Sequence, residues 1–440
     1  MEDNKTGYRE ILKQKEYMKT VIAAVINRLG DSIDSIAFAW LVYQITQSAA
    51  WSAIIYGVNR VPTILLQPFA GAAVEGMNKK RIMILTDVIR GICVGVVATA
   101  YMSGILNQWI MLACTIIISC AEAFRNPASS ALLPKLLDKK YYSFGISFNT
   151  SLCSIMELVG LGLAGVIISA FSLSVAIYID MITFFLSALI ILTLRVKDEH
   201  LAKVKVSTKE FFDNLKGGVQ YLKGNAFLKY MIFISVFLNA ILVPLNSLQA
   251  PLVSEVLHSN EMMLSVLSLG ITLGMIVGAI LYPYFSTLIS RRAILYICGY
   301  SIAGYYISLV AVGQWIQSAA LKYIIIAVAS FLIGAAIAIA NTFAGVEFMK
   351  AIEENYIARV SSIMNAVTVA AMPIVSFIIG AISGIVSIRE IFFALGILDI
   401  ILCIILFSKH RIAAMDYVQN ERVEVSEGET EDTEACESCR

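Results

Sequence analysis

Stretches of this chain run 24 to 30 residues without a single Asp, Glu, Lys or Arg, among them 92–121, 230–254, 262–290, 293–321, 323–346 and 360–388. A helix needs ~20 apolar residues to cross ~30 Å of hydrocarbon, so each stretch is long enough to span a bilayer. Backbone in lipid must satisfy its own hydrogen bonds, and these runs are therefore predicted to be helices. The alternating pattern of a membrane β-barrel is absent. Composition agrees: 58% of the residues are hydrophobic and 15% charged, against roughly 45–50% and 25% in soluble domains. The net charge of +1 gives no reason to expect a nucleic-acid partner.

Extending this reading to the less uniform segments predicts twelve spans, at 20–45, 50–74, 82–103, 108–133, 144–169, 173–195, 230–256, 263–288, 293–314, 321–347, 358–385 and 390–408. The expected fold class is an all-α membrane protein. Of the 33 Lys and Arg, 27 fall in the termini and the loops on their side, two fall on the opposite side (Lys322 and Arg389), and four lie inside spans. The positive-inside rule then places both termini in the cytosol. Met1–Lys19 is polar and charged and leads straight into a full span, so no cleavable signal peptide is expected.

The longest internal loop, 196–229, divides the chain into two six-helix bundles, 20–195 and 230–408, after a cytosolic N-terminus at 1–19. Within that loop Ser207-x-x-Glu210 reads as a capping box. Phe211, Phe212, Leu215, Val219 and Leu222 follow at helical spacing, which predicts an amphipathic helix on the inner membrane surface. The acidic tail, 409–440, holds too little apolar surface to fold. Its Cys436-x-x-Cys439 supplies two of the four ligands a structural zinc site needs, and is read as two solvated thiols. Asn149 and Asn365, 216 residues apart, each lie about two turns into a span that follows a charged loop. Such echoes mark transporters built from two pseudo-symmetric repeats.

Residues 71–81 read GAAVEGMNKKR. This resembles the loop signature of the major facilitator superfamily, Gly-x-x-x-Asp-Arg-x-Gly-Arg-Arg, between spans two and three. Gly71 matches, Glu75 replaces the aspartate, Lys79 and Lys80 match the basic pair, and Gly76 and Asn78 depart. Asp87-x-x-Arg90-Gly91 follows in span three. The segments LGDSIDSIAFAWLVYQITQSAAWSA (29–53), FRNPASSALLPKLL (124–137) and Pro244–Pro251 are similar to the branch holding macrolide efflux proteins and the enterobactin exporter. The resemblance covers about residues 17–408. It implies export of a drug-like or natural-product molecule, driven by protons, in the bacterial cytoplasmic (inner) membrane. The Gly-Pro-x-x-Gly-Gly-like run often found in span five of antiporters is replaced here by Gly160–Gly165 without proline.

Ionised side chains at mid-membrane cost about 2.5–3.5 kcal/mol on insertion scales and mark functional sites by default. Asn27, Arg28, Asp31, Asp34 and Ser35 share one face of span one. Arg28 and Asp31, at i, i+3, are expected to pair. Arg60, two residues before Pro62, is a candidate partner for Asp34. Glu157 stands midway along span five. With Asn246 and Asn365 these residues form the expected cavity, in which Asp31, Asp34 and Glu157 are the candidate proton carriers. Gly71, Glu75, Lys79, Lys80, Asp87, Arg90, Glu122 and Arg125 form an expected cytosolic gate. Asp180 and Asp399, in spans six and twelve, are read as structural. Deep polar residues of the second half are neutral, Asn239, Asn246, Gln249, Asn341 and Asn365, and stand among Phe237, Met275, Met364 and Met372. Such a wall suits apolar or varied ligands.

No phosphate loop and no His-Glu-x-x-His motif occurs, and the three histidines lie in loops or tails, so no enzyme, metal or cofactor is expected. The expected partners are a small-molecule substrate, protons and the lipid bilayer, and the expected state is a monomer. A siderophore or metabolite carrier, including an importer, is the alternative, with a channel or membrane enzyme further off. Because the tail cannot bury a core, truncation after Arg411 is expected to leave membrane insertion and transport intact. A truncated protein that reaches the membrane without transporting would contradict that reading.

Overall fold

The computed structural model describes residues 8–137, 141–196, 222, 226–289, 291–350, 352 and 357–406. Among the described residues, twelve helices of 19 to 32 residues carry the fold: α1 Lys15–Thr46, α2 Ala49–Glu75, α3 Lys79–Met102, α4 Gln108–Leu136, α5 Tyr142–Ala170, α6 Leu173–Leu192, α7 Ala226–Ser247, α8 Glu261–Leu288, α9 Arg291–Trp315, α10 Ala319–Lys350, α11 Ile357–Ser383 and α12 Ile388–Leu406. Among the described residues, nine helices are long and apolar enough by themselves to cross a membrane. No strand occurs among the described residues. The tail and most of the linker, with its expected amphipathic helix, lie outside them. Leu222 is the exception, buried with Leu228, Met231 and Phe348.

Local chemistry sets several helix ends. Ser48, Asn78, Asn107 and Ser172 each accept a backbone N–H in the first turn of the helix they precede, the usual N-cap device. At the other end of α6, Lys19 Nζ reaches the Thr193 carbonyl (3.0 Å) and Lys80 Nζ the Leu194 carbonyl (2.8 Å). Cations there satisfy orphan carbonyls and oppose the helix dipole. Glu16 accepts from the Arg195 amide at 2.7 Å. That bond and the Lys19 ammonium hold the Glu16 carboxyl below its ordinary range. Glu16 and Lys19 stand before residue 20, where the first span was expected to start. Tyr17 extends the same packing by donating to the Gly145 carbonyl at 2.7 Å.

The two halves repeat one pattern. In the first, α1 packs on α5 and α6, α2 on α4, and α3 on α4 and α6. In the second, α7 packs on α11, α8 on α10, and α9 on α10 and α12. The main contacts between halves, α2 with α11 and α5 with α8, are also related by the repeat. The seventh span, predicted as continuous over 230–256, is broken instead. Pro244 lies inside α7, a short turn Gln249–Pro251 follows, and Leu252–Val256 opens into a wide π turn. Proline removes a backbone donor and crowds the preceding turn, which favours such breaks.

Lipid supplies no hydrophobic drive between helices, so close packing has to do it. On α8, Gly270, Gly274 and Gly278 stand four residues apart on one face against α10. A Cβ at Gly274 would overlap the Phe331 carbonyl, and one at Gly278 the Ala335 carbonyl. Gly334 on α10 returns the contact at the Ile271 carbonyl. Gly274→Val is therefore expected to reduce the yield of monodisperse protein on size-exclusion chromatography severely. Gly304→Ala and Gly345→Ala, where a Cβ meets nothing within 4 Å, should behave as wild type. Equal yields for all three variants would show that the α8–α10 crossing does not depend on its glycines.

Candidate functional site

The first six helices carry a set of intramembrane charges, and the structure pairs them across helices. Arg125 on α4 holds Asp87 on α3 through two contacts, from Nε to Oδ1 and from Nη2 to Oδ2 (3.3 Å). Asp87 is fully buried, and Ser187 on α6 donates to its Oδ2 at 2.6 Å. Asn27 completes the cluster, with its oxygen toward Arg125 Nη2 (2.7 Å) and its nitrogen toward the Thr183 carbonyl (3.2 Å), the orientation that matches donors to acceptors.

A second pair joins α3 to α1. Arg90 Nη2 donates to Asp31 Oδ1 at 2.9 Å, and the guanidinium lies 4.1 Å from the centre of the Phe184 ring. A third, looser pair joins α1 to α5, with Arg28 Nε 3.8 Å from Glu157 Oε2. The expected Arg28–Asp31 pair is thus replaced by two cross-helix pairs. Arg90 is only 7% exposed and would lose most if left alone, so it takes the nearby carboxylate. Arg28 is half-exposed and reaches over to α5.

A cavity of about 610 Å³ opens between the halves, within the ~300–1,000 Å³ typical of small-molecule sites. Its wall from the first half is charged: Arg28, Asp31, Asp34, Arg60, Arg90, Glu122 and Glu157. The wall from the second half is neutral, with Asn246, Gln249, Ser268, Thr272 and Met275. Asp34 makes no ion pair among the described residues. Nor does Arg60, which leans over the Tyr56 ring at 6.0 Å. The expected Asp34–Arg60 pair is therefore not formed, although both residues line the same space.

The residues expected at one gate are divided among several places. Asp87 and Arg125 form the buried cluster, while Arg90 and Glu122 line the cavity. Lys80 caps α6, Lys79 is buried at the start of α3, and Gly71 has open space around it. The side chains of Glu75 and Asn365 lie outside the described residues. Asp180 and Asp399 are both buried. Asp180 stands with Thr183 against α1 where Gly30 leaves room for them.

Sequence reasoning missed the contacts that join the two halves at one end of the bundle. Tyr43 donates to Glu255 Oε1 at 2.8 Å, from the end of α1 to the wide turn after α7. Ser376 on α11 donates to the Ala53 carbonyl on α2 at 2.6 Å, and the Gly165 amide on α5 donates to Ser265 on α8 at 2.8 Å. All three lie at the end of the bundle away from the start of α1. Tyr56 was also missed, although its place one turn before Arg60 puts both on one helix face.

A family model described as the Major Facilitator Superfamily matches residues 20–368. The uncharacterised MFS-type transporter YkuC of Bacillus subtilis is 22% identical over 296 residues, covering 64% of this chain and 66% of that one, just under two thirds of its length. Macrolide efflux protein A of Streptococcus pyogenes is 22% identical over 392 residues, covering 89% of this chain and 95% of that one. The staphyloferrin A transporter of Staphylococcus aureus is 26% identical over 175 residues, covering 38% and 43%. Among solved structures, the nucleoside transporter NupG superposes with a TM-score of 0.71 at 12% identity, over 89% of this chain and 98% of that one.

Breaking a buried ion pair by removing one partner costs about 3–5 kcal/mol. Arg125→Ala and Asp87→Ala are each expected to lower the thermal-unfolding midpoint in detergent, and the double variant to lose clearly less than the sum. Additive losses would mean that the two residues are not energetically coupled.

Proposed function

Because the chain belongs to the Major Facilitator Superfamily, we propose that it exports a drug-like or natural-product molecule by alternating access in exchange for protons. The observation that carries this reading is the cavity between the two halves, sealed at one end, with Asp34 unpaired on its wall. A carboxylate without a fixed partner is free to gain and lose a proton as the cavity opens first to one side and then to the other. Glu157, held only loosely by Arg28 at 3.8 Å, is the second candidate. Moving one charge through 100 mV yields about 2.3 kcal/mol, enough for nearly fiftyfold accumulation.

The charge asymmetry of the loops supports a bacterial inner-membrane location with both termini in the cytosol. In that orientation the sealed end faces outward and the state described is inward-facing. The long loop then serves as a cytosolic tether between two six-helix domains. One chain supplies both walls of the cavity, which supports a monomer as the working unit. Asp87, Arg125 and the loop bearing Gly71, Glu75 and Lys79 act at the cytosolic ends of the first domain. The match to macrolide efflux protein A, long over both chains, favours export. The shorter match to the staphyloferrin A transporter favours a second reading, a siderophore carrier. A susceptibility and uptake screen across macrolides, cationic dyes and catecholate siderophores, with and without the protein, separates the two.

Asp34→Asn and Glu157→Gln are each expected to abolish accumulation against a gradient, with Glu157→Gln still binding substrate. Asp31→Asn should instead impair folding, because it leaves the buried Arg90 without its carboxylate. If both neutral variants still transport uphill, and a protonophore still stops them, the proton carrier is another residue. Glu122 would be tested next.

A further inference from the structure

Three arginines line the cavity, and two of them are already held. Glu157 lies 3.8 Å from Arg28 and Asp31 lies 2.9 Å from Arg90. Arg60 has no carboxylate within ion-pairing distance among the described residues. It is exposed to the cavity, with the Tyr56 ring at 6.0 Å and Asn59 beside it on the same wall. Asp34 has neither an ion pair nor a hydrogen bond to its carboxylate among the described residues. The Arg90 guanidinium that Asp31 already holds also attracts Asp34 and Glu122, the remaining acid of the wall.

Arg60 and Asp34 stand at the same depth. The helices α1 and α2 meet at Gln47 and Ser48. Asp34 is twelve residues before the end of α1 at Thr46, and Arg60 is eleven after the start of α2 at Ala49. At 1.5 Å per residue these are about 18 Å and about 16 Å from the shared end. Two opposite charges therefore face one cavity at one level without engaging each other, opposite a wall of neutral amides and hydroxyls. An apolar guest would leave both charges unpaired, and a guest of one sign would leave one of them so.

We propose that the cavity recognises an amphoteric substrate, its anionic group held by Arg60 and its cationic nitrogen by Asp34. This rests on the reading of the cavity as the transport site. A planar guanidinium favours a carboxylate-type group, which it can take in a bidentate fork. The Tyr56 and Phe38 rings on the same wall suit a flat organic body between the two charges. The assignment also bears on coupling. Asp34 cannot hold the substrate nitrogen and a proton at once, so the two exclude each other, which is the condition for exchange.

The test uses the full chain in lipid nanodiscs and three dyes built on one xanthene scaffold: zwitterionic tetramethylrhodamine, its cationic methyl ester and anionic fluorescein. Fluorescence anisotropy reads their affinities. Tetramethylrhodamine is expected to bind at least tenfold tighter than either of the others. Arg60→Gln should bring its affinity down to that of the methyl ester and leave the ester unchanged, and Arg60→Lys should keep part of the preference. Each variant is first shown to be monodisperse. An ester that binds as tightly as the zwitterion, an Arg60→Gln change that weakens all three dyes alike, or no dye binding below 1 mM would overturn the proposal. The transport reading fails separately: a charge preference without any flux would sink that reading and leave this one, and flux without charge preference would do the reverse.

Discussion

An arginine or aspartate at membrane depth must be paired, neutral or in contact with water, and the first half of this protein is organised around that requirement. Arg125 is taken by Asp87, Arg90 by Asp31 and Arg28 by Glu157. Each pair crosses between helices, so the pairs also fix which helices are neighbours: α4 to α3, α3 to α1, and α1 to α5. Exposure increases along the same series. Asp87 is fully buried, Arg90 nearly so, and the Arg28–Glu157 pair is partly open to the cavity. The tight, buried pairs hold the bundle together, and the loose pair and the unpaired Asp34 and Arg60 are left where a ligand can reach them.

The second half solves the packing problem differently. Its cavity wall is neutral, and its closest helix crossing depends on glycines at 270, 274, 278 and 334. A charged half and a neutral half thus share one repeat, and the three ion pairs described above lie within the first.

The helices were legible because their signal is collective. Long uncharged runs survive errors of several residues at either end. The cavity acids were legible for a related reason, since a charge in an apolar span is conspicuous wherever it points. Their partners were not. Spacing along one helix put Arg28 with Asp31, but it carries no information about which residue of another helix stands opposite. Ser187 and Phe184, which complete the Asp87 and Arg90 sites, look like ordinary residues of an apolar span. Glu255 was hidden because span seven was read as continuous, and the break after Ser247 is what turns that carboxylate toward Tyr43. The four-residue glycine spacing on α8 was the one signal available in the sequence and left unread.

The seal at the closed end is small for what it does. Among the described residues, three hydrogen bonds cross between the halves there, Tyr43 to Glu255, Ser376 to the Ala53 carbonyl, and the Gly165 amide to Ser265. A typical intramolecular hydrogen bond contributes a net of about 1 kcal/mol, and one to a charged group about 1.5–3 kcal/mol. The polar part of the seal is then worth a few kcal/mol, the range in which one of two conformations is dominant and the other still accessible. Close approach at Gly57 and Gly165 adds packing that is lost and regained as one unit when α2 leaves α11 and α5 leaves α8. Because those two contacts are related by the repeat, opening this end and closing the other require a single relative rotation of the halves. The bond between Tyr43 and Glu255 stands at the end of α1, the helix that also carries Asp31 and Asp34, so any movement that breaks the seal also moves the cavity acids.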